Sequence, residues 1–282
     1  MPTARPRRLL TNGNRNLARD RIWTWTLPAL AARLPDGRTI RTCPSAGVCA
    51  QACYARAGTY MFPAVKAAHL RNLQRVVEDL AGWERDMTKE LTAGRFDGAY
   101  VRIHDSGDFF SDAYTEAWLR IIASAPRTTF YAYTKEIQRY QRLIAPRVPA
   151  NSRWILSYGG TQDALIDPLR DRVADVFPDE PSIAAAGFHS QARSDLLAAF
   201  GPSPVGMSAN NLPALRRRQG RRTFREWQQQ HDHERAARAR RHRTRRAAGE
   251  SSTTGGTAVK PYRPRGADLG KPPVVSHEDT RP

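Results

Sequence analysis

"AYVRIHDSGDFFSDAYTEAWLRIIASAPRTTFYAYTKE", residues 99–136, contains one complete strand–helix–strand unit, and its reading decides the fold. "AYVRIH" (99–104) and "TTFYAYT" (128–134) are short runs rich in β-branched and aromatic residues. Between them "SDAYTEAWLRIIASAP" puts Tyr114, Trp118, Ile121, Ile122 and Ala125 on one helical face. Ser111 is placed to cap the first turn, and Pro126 ends the last one.

Working outward, "RWILSY" (153–158) and "PVGMSA" (204–209) are further strands, and the first three strand starts recur at about 25 to 30 residues, the length of a βα unit. Upstream, "IWTWTL" (22–27) alternates Trp23, Trp25 and Leu27 as a strand does. One long helix is expected from about Pro63 to Ala93, with Leu70, Leu73, Val77, Leu80, Met87 and Leu91 at three- and four-residue steps. Right-handed crossovers make this pattern an α/β domain with a parallel sheet, either a partial (βα) barrel or an open layer.

The chain has 282 residues, 40% of them hydrophobic, which suffices for one core with a tail. Its formal net charge of +18 is concentrated between Arg216 and Arg246, where thirteen arginines face three acids. Beyond lies a stretch rich in Gly, Ser, Thr and Pro with little to bury. The expected organisation is therefore an α/β domain over 1–212 and a basic, largely disordered tail over 213–282. That arginine density, with Phe224 and Trp227 interleaved, suits a DNA or RNA phosphate backbone. No apolar run reaches the eighteen or so residues of a membrane span, and the first residues lack the hydrophobic core of a secretory signal. The expected compartment is the cytoplasm.

All three cysteines fall in "TCPSAGVCAQACYARAG" (42–58), as Cys43, Cys49 and Cys53. An odd count confined to eleven positions is a poor disulfide framework, and a reducing compartment favours metal binding or reactivity. Three thiolates leave one corner of a tetrahedral ion, or one iron of a cubane cluster, without a protein ligand. The residues alone admit an iron–sulfur cluster with an open iron, a zinc completed by His104 or His69, or three small buried thiols.

Chemistry on parallel α/β sheets gathers at the carboxyl ends of the strands. There His104 and Asp105 are candidates for acid and base, and Lys135 for binding a carboxylate or phosphate. Ser106-Gly107-Asp108 offers a close backbone approach and a carboxylate acceptor. Ser157, Gly159 and Gly160, in "WILSYGGTQD", offer polar and backbone NH groups to an anion or a ribose.

The cysteine loop, "AAHLRNL", "VRIHDSGDFFSDAYTEAWLRII", "FYAYTK" and "WILSYGGTQD" together resemble the gene-product-88 family of actinobacterial phages and mobile elements, over roughly residues 8 to 212. More distantly, the arrangement resembles the radical S-adenosylmethionine enzymes, which carry a three-cysteine loop after the first strand of a partial barrel. That second resemblance implies a 4Fe-4S cluster on Cys43, Cys49 and Cys53, Tyr54 as the aromatic beside it, and S-adenosylmethionine on the open iron. It also implies that Ser106-Gly107-Asp108 holds the methionine ammonium. The cysteine spacing here is longer than in those enzymes, and Asp108 stands where they carry Glu. The alternative from a different class is a nucleic-acid-binding protein with a structural metal site.

Overall fold

The computed structural model describes residues 8–12, 14–209 and 212–251. In chain order the elements are β1 (Thr11–Asn12), α1 (Arg15–Arg19), β2 (Ile22–Trp25), the hairpin β3 (Ala31–Arg33) and β4 (Thr39–Arg41), α2 (Pro63–Glu78), α3 (Leu80–Leu91), β5 (Tyr100–Ile103) and α4 (Asp112–Ser124). They continue as β6 (Thr129–Thr134), α5 (Ile137–Arg139), β7 (Ser152–Ser157), β8 (Val173–Phe177), α6 (Glu180–Ala185), β9 (His189–Ser190), α7 (Leu196–Phe200), β10 (Val205–Ser208), α8 (Pro213–Gln219) and α9 (Phe224–Ser251).

The unit at 99–136 forms as its pattern requires. Ser111 accepts a hydrogen bond from the Tyr114 amide at 3.3 Å and starts α4, while β5 and β6 pair in parallel from Tyr100 with Thr129 to Ile103 with Ala132. The main sheet runs β1-β2-β5-β6-β7-β8-β10-β9, parallel throughout except for the β1–β2 edge. From β2 to β8 the order across the sheet follows the order along the chain. A doubly wound sheet reverses its order at a switch point, whereas an unreversed order with right-handed crossovers returns every connection to the same face, as a barrel does. Here the order runs unreversed to β8 and then reverses, since β10 lies between β8 and β9, and the sheet stays open.

Strand alternation sorts the two faces. Trp25, Val101, Ile103, Phe130, Ala132 and Trp154 pack against Leu73 and Val76 of α2, Trp83 and Met87 of α3, and Trp118 and Ile122 of α4. The Trp25, Trp83 and Trp118 rings meet at 5.5 and 5.2 Å, and Trp25 Nε1 donates to the Tyr114 hydroxyl at 2.8 Å, so this layer is both apolar and registered. On the other face Ile22, Tyr131, Ile155, Ala174 and Val205 meet Leu17 and the small Ala198 and Ala199 of α7. Light packing on that side leaves room for a cavity.

Three expectations are corrected. The long helix is two, because Asp79 (φ −145°, ψ 76°) leaves helical geometry and its carboxylate caps the next helix at the Gly82 amide, 2.8 Å away. Strand β8, "VADVF", escaped notice because Asp175 interrupts its apolar run. The boundary at 212 moves to 235: the chain divides into two compact units, 1–235 and 236–282. Residues 213–235 belong to the first because Phe224 and Trp227, expected to face nucleic acid, are buried on Val48 and Ala52 of the cysteine loop. In the second unit the described residues, 236–251, are helical, and the tail expected to be disordered lies beyond the described residues from 252 onward.

Candidate functional site

A cavity of about 930 Å³ opens at the carboxyl ends of the parallel strands. Cys43, Cys49 and Cys53 all line it, with Tyr54, His104, Asp105, Ser106, Gly107, Asp108, Lys135 and Ser157. The expected rim is therefore one place, and the thiols share it with the candidate polar groups.

What holds the cysteine loop there is a set of brackets from three directions. Glu136, at the exit of β6, accepts from the Ser45 amide at 2.8 Å and pairs with Arg139. The turn after β7 accepts the Cys49 amide on the Gly159 carbonyl at 3.0 Å and returns the Thr161 amide to the Ser45 carbonyl at 2.9 Å. A Cβ on Gly160 would stand 2.9 Å from that same Ser45 oxygen, so only glycine lets loop and turn approach this closely. From the C-terminal side Gln228 accepts the Val48 amide at 2.7 Å, and Arg218 donates to the Gln51 carbonyl at 2.8 Å. Thr223 and Glu226 form a reciprocal capping box that starts α9 at the point where Phe224 and Trp227 must turn inward. Asp175, buried in β8, accepts the Arg225 amide at 3.2 Å beneath that helix start.

The thiols are half-buried and free. Burial, with the Asp108 charge adding to it, pushes Cys43 up to about 12, and burial with Cys49 beside it pushes Cys53 up to about 11. The Leu30 amide donates to Cys43 Sγ at 3.4 Å. Lys135 and Arg56 are the cations that act on Cys53 in the opposite direction. Among the described residues no three His, Cys, Asp or Glu side chains gather as ligands of a single ion.

Several candidate roles change. Gly159 and Gly160 were expected to present amides to an anion, but both amides go to the Asp163 carboxylate at 2.7 and 2.8 Å; the turn docks the cysteine loop instead. Gly107 (φ +90°) makes its close approach to Leu27, where a Cβ would stand 2.7 Å from the leucine Cβ, and Ser106 Oγ donates to the Leu27 carbonyl at 2.8 Å. Asp108 accepts from the Phe109 amide, the Thr134 hydroxyl and the Lys135 amide at 2.8, 2.7 and 2.9 Å. Its carboxylate thus ties the β5 exit to the β6 exit, and burial with the neighbouring Glu136 pushes it up to about 6.

His104 is a core residue. Burial drives it down to about 3, so it is neutral, and its Nε2 meets the Tyr114 hydroxyl at 2.8 Å. That hydroxyl also accepts from Trp25, and the other ring nitrogen, Nδ1, is buried with no hydrogen-bond partner among the described residues. Such a group is badly placed for acid–base work or for completing a zinc site. Asp105 accepts from Tyr60, while its carbonyl accepts from Tyr54. The Lys135 ammonium donates to Ser157 Oγ at 2.6 Å and forms no ion pair among the described residues.

The sequence reading passed over a second polar group in the cavity. Arg102 of β5 lies 3.3 Å from Asp195 and stacks 5.1 Å over the Tyr133 ring; Tyr131 and Tyr133 donate to the same carboxylate, and Tyr133 also to Gln191 at 2.7 Å. The signal was present in "YVRI" and "YAYT", where Arg102, Tyr131 and Tyr133 alternate with core residues. Asp195, nearly a hundred positions away from Arg102, carried none.

Comparison of the sequence with known proteins finds relatives of the chain. The chain is 34% identical over 110 residues to the gene 88 protein of Mycobacterium phage L5, and 33% identical over 115 residues to that of Mycobacterium phage D29. Each match covers 36% of this chain, and 46% and 45% of the relative, so it spans about half the length of those proteins. No solved structure matches. These matches give no support to a likeness with the radical S-adenosylmethionine enzymes. The family model described as gene product 88 matches residues 8–246, and the chain belongs to that family.

Proposed function

We propose that this chain is an iron–sulfur protein that holds a four-iron cluster through Cys43, Cys49 and Cys53, with one iron open to a small chelating ligand of the S-adenosylmethionine kind. The observation that carries the reading is the confinement of three thiols, with no fourth cysteine in the chain, to one cavity at the carboxyl ends of an open, largely parallel sheet. The donor set fits such a group. Ligation requires the thiolates, so a bound cluster has to displace protons that burial holds on Cys43 and Cys53, and an N–H···S contact such as Leu30 to Cys43 is one by which proteins tune clusters.

When bound, a cluster of this type supplies one-electron reduction to a ligand on its open iron. The chain's own residues do the holding. Glu136, Gly159 and Gln228 fix the loop through its amides, and Asp108 orders the floor beside Cys43. The Lys135 ammonium, held toward Ser157, is the group available to a ligand carboxylate. S-adenosylmethionine should therefore perturb the electron paramagnetic resonance spectrum of the reduced, reconstituted protein, and Lys135→Met should weaken that effect while iron content stays at the parent level. A spectrum indifferent to saturating S-adenosylmethionine contradicts the open-iron reading.

A second reading rests on α9, where seven arginines and no acid lie between residues 235 and 246, all seven exposed. It makes this helix a phosphate-backbone contact of steep salt dependence and little sequence preference. Substitution of Arg240, Arg241 and Arg243 by Gln should flatten the salt dependence of duplex binding; an unchanged slope contradicts it.

A further inference from the structure

We propose that the lip formed by residues 54–66, at the mouth of the cysteine cavity, is the landing site of a small acidic electron-transfer protein. That the partner carries electrons rests on the cluster reading; the acidic, apolar-centred contact rests on the surface itself.

Two observations converge. Among the described residues, three of the seven large hydrophobic side chains that stand exposed lie within nine positions: Tyr54 at 37%, Met61 at 45% and Phe62 at 58%. Single exposed hydrophobics need no explanation, but a cluster beside a cavity does. The lip is also built to hold this shape. The Tyr54 and Tyr60 hydroxyls turn inward onto Asp105, their rings meet at 5.7 Å, and the Lys66 amide closes the first turn of α2 onto the Phe62 carbonyl at 3.0 Å. With its tyrosines anchored, the segment leaves Met61 and Phe62 facing water.

Charge supplies the second observation. From Gly37 to Val77 the chain has no Asp or Glu; Arg38 and Arg75 pair with Asp36 and Asp86 outside that stretch, and Arg41, Arg56, Lys66 and Arg71 carry its excess charge. Arg56 and Lys66 flank the exposed pair in sequence, and both are exposed. An apolar centre with a cationic rim fits a protein face of the opposite sign, since electrostatic complementarity raises the encounter rate while a small apolar contact sets the register. Electron-transfer contacts are small, below about 1,200 Å², and need no more than such a patch. A phosphate backbone would satisfy the rim but leave Met61 and Phe62 uncovered, and Cys53 lies one residue before the lip begins.

The test uses the full chain and a plant-type ferredoxin as the acidic probe. Carbodiimide coupling joins lysine amines to carboxylates, and the lysines here are at 66, 89, 135, 260 and 271, so the arginine-rich α9 is silent. Coupling should map to Lys66, fall about tenfold between 20 and 200 mM salt, and fall about tenfold again in Phe62→Ser and in Arg56→Glu. These are surface positions, and an unchanged circular dichroism spectrum shows that the variants fold. Coupling spread evenly over the lysines, or unaltered by Phe62→Ser, overturns the proposal. So does loss of a dimer in Phe62→Ser by sedimentation, which would assign the lip to a second copy. Iron and sulfide are measured in the same sample: iron present without coupling at Lys66 sinks the contact alone, whereas coupling at Lys66 without iron sustains the contact and sinks the cluster.

Discussion

Trp227→Ala isolates the contact that binds the C-terminal segment to the cysteine loop. The indole is 7% exposed, packs with Phe224 at 6.1 Å over Val48 and Ala52, and carries the Arg222 guanidinium 5.1 Å from its ring. Truncating a buried Trp costs about 3–5 kcal/mol, and a position at the edge of the core belongs at the lower end. The loss should be local, because the Trp25, Trp83 and Trp118 layer is a separate cluster. At about 1.4 kcal/mol per decade, 3 kcal/mol raises the open population on the order of 100-fold. Opening returns Cys43 and Cys53 from about 12 and about 11 toward ordinary thiol values, so iodoacetamide labelling of the metal-free protein near neutral pH should accelerate by up to that factor. The melting midpoint of the main core should fall far less. Labelling at the parent rate, with an unchanged melting curve, would refute the assignment of residues 213–235 as a clamp.

Asp175 sets a pH dependence. Burial raises its carboxyl from an unfolded value near 3.8 to about 7, so its contribution to stability is whole below about pH 4 and is lost as pH rises through 7; Asp175→Asn should remove that decline, at most about 4 kcal/mol, in urea midpoints compared at pH 5 and pH 8. Gly160→Ala should cost about 1–3 kcal/mol, because its methyl meets the Ser45 carbonyl and Lys135 Cβ at once, and hydrogen exchange should show the cysteine loop loosened before the sheet. Asp108→Asn should lower stability and slacken the β5–β6 exits with little effect on ligand affinity, since its oxygens already serve the Phe109, Thr134 and Lys135 donors.

The parallel sheet was legible because helix and strand periods alternate cleanly around α4, and Ser111 and Pro126 mark its ends. The place of the site was legible too, since chain topology alone sends the cysteine loop and the 104–108 turn to one rim. What failed was the meaning of individual groups. Gly107, Gly159 and Asp108 have the residue types of a ligand cradle, but Leu27, Asp163 and the Thr134 hydroxyl occupy them, and such partners are set by packing that leaves no local pattern. The clamp was hidden for a related reason. In a stretch of thirteen arginines the charge count outweighs two aromatics, yet Phe224 and Trp227 three positions apart on a capped helix make an apolar face of the right width to close a loop.

Iron and acid-labile sulfide analysis of anaerobically reconstituted full-length protein tests the thiol cavity most directly. About four irons and four sulfides per chain are expected, falling in each of Cys43→Ala, Cys49→Ala and Cys53→Ala while circular dichroism shows the sheet retained. Stoichiometric zinc with negligible iron, or iron unaffected by loss of the cysteines, would contradict it.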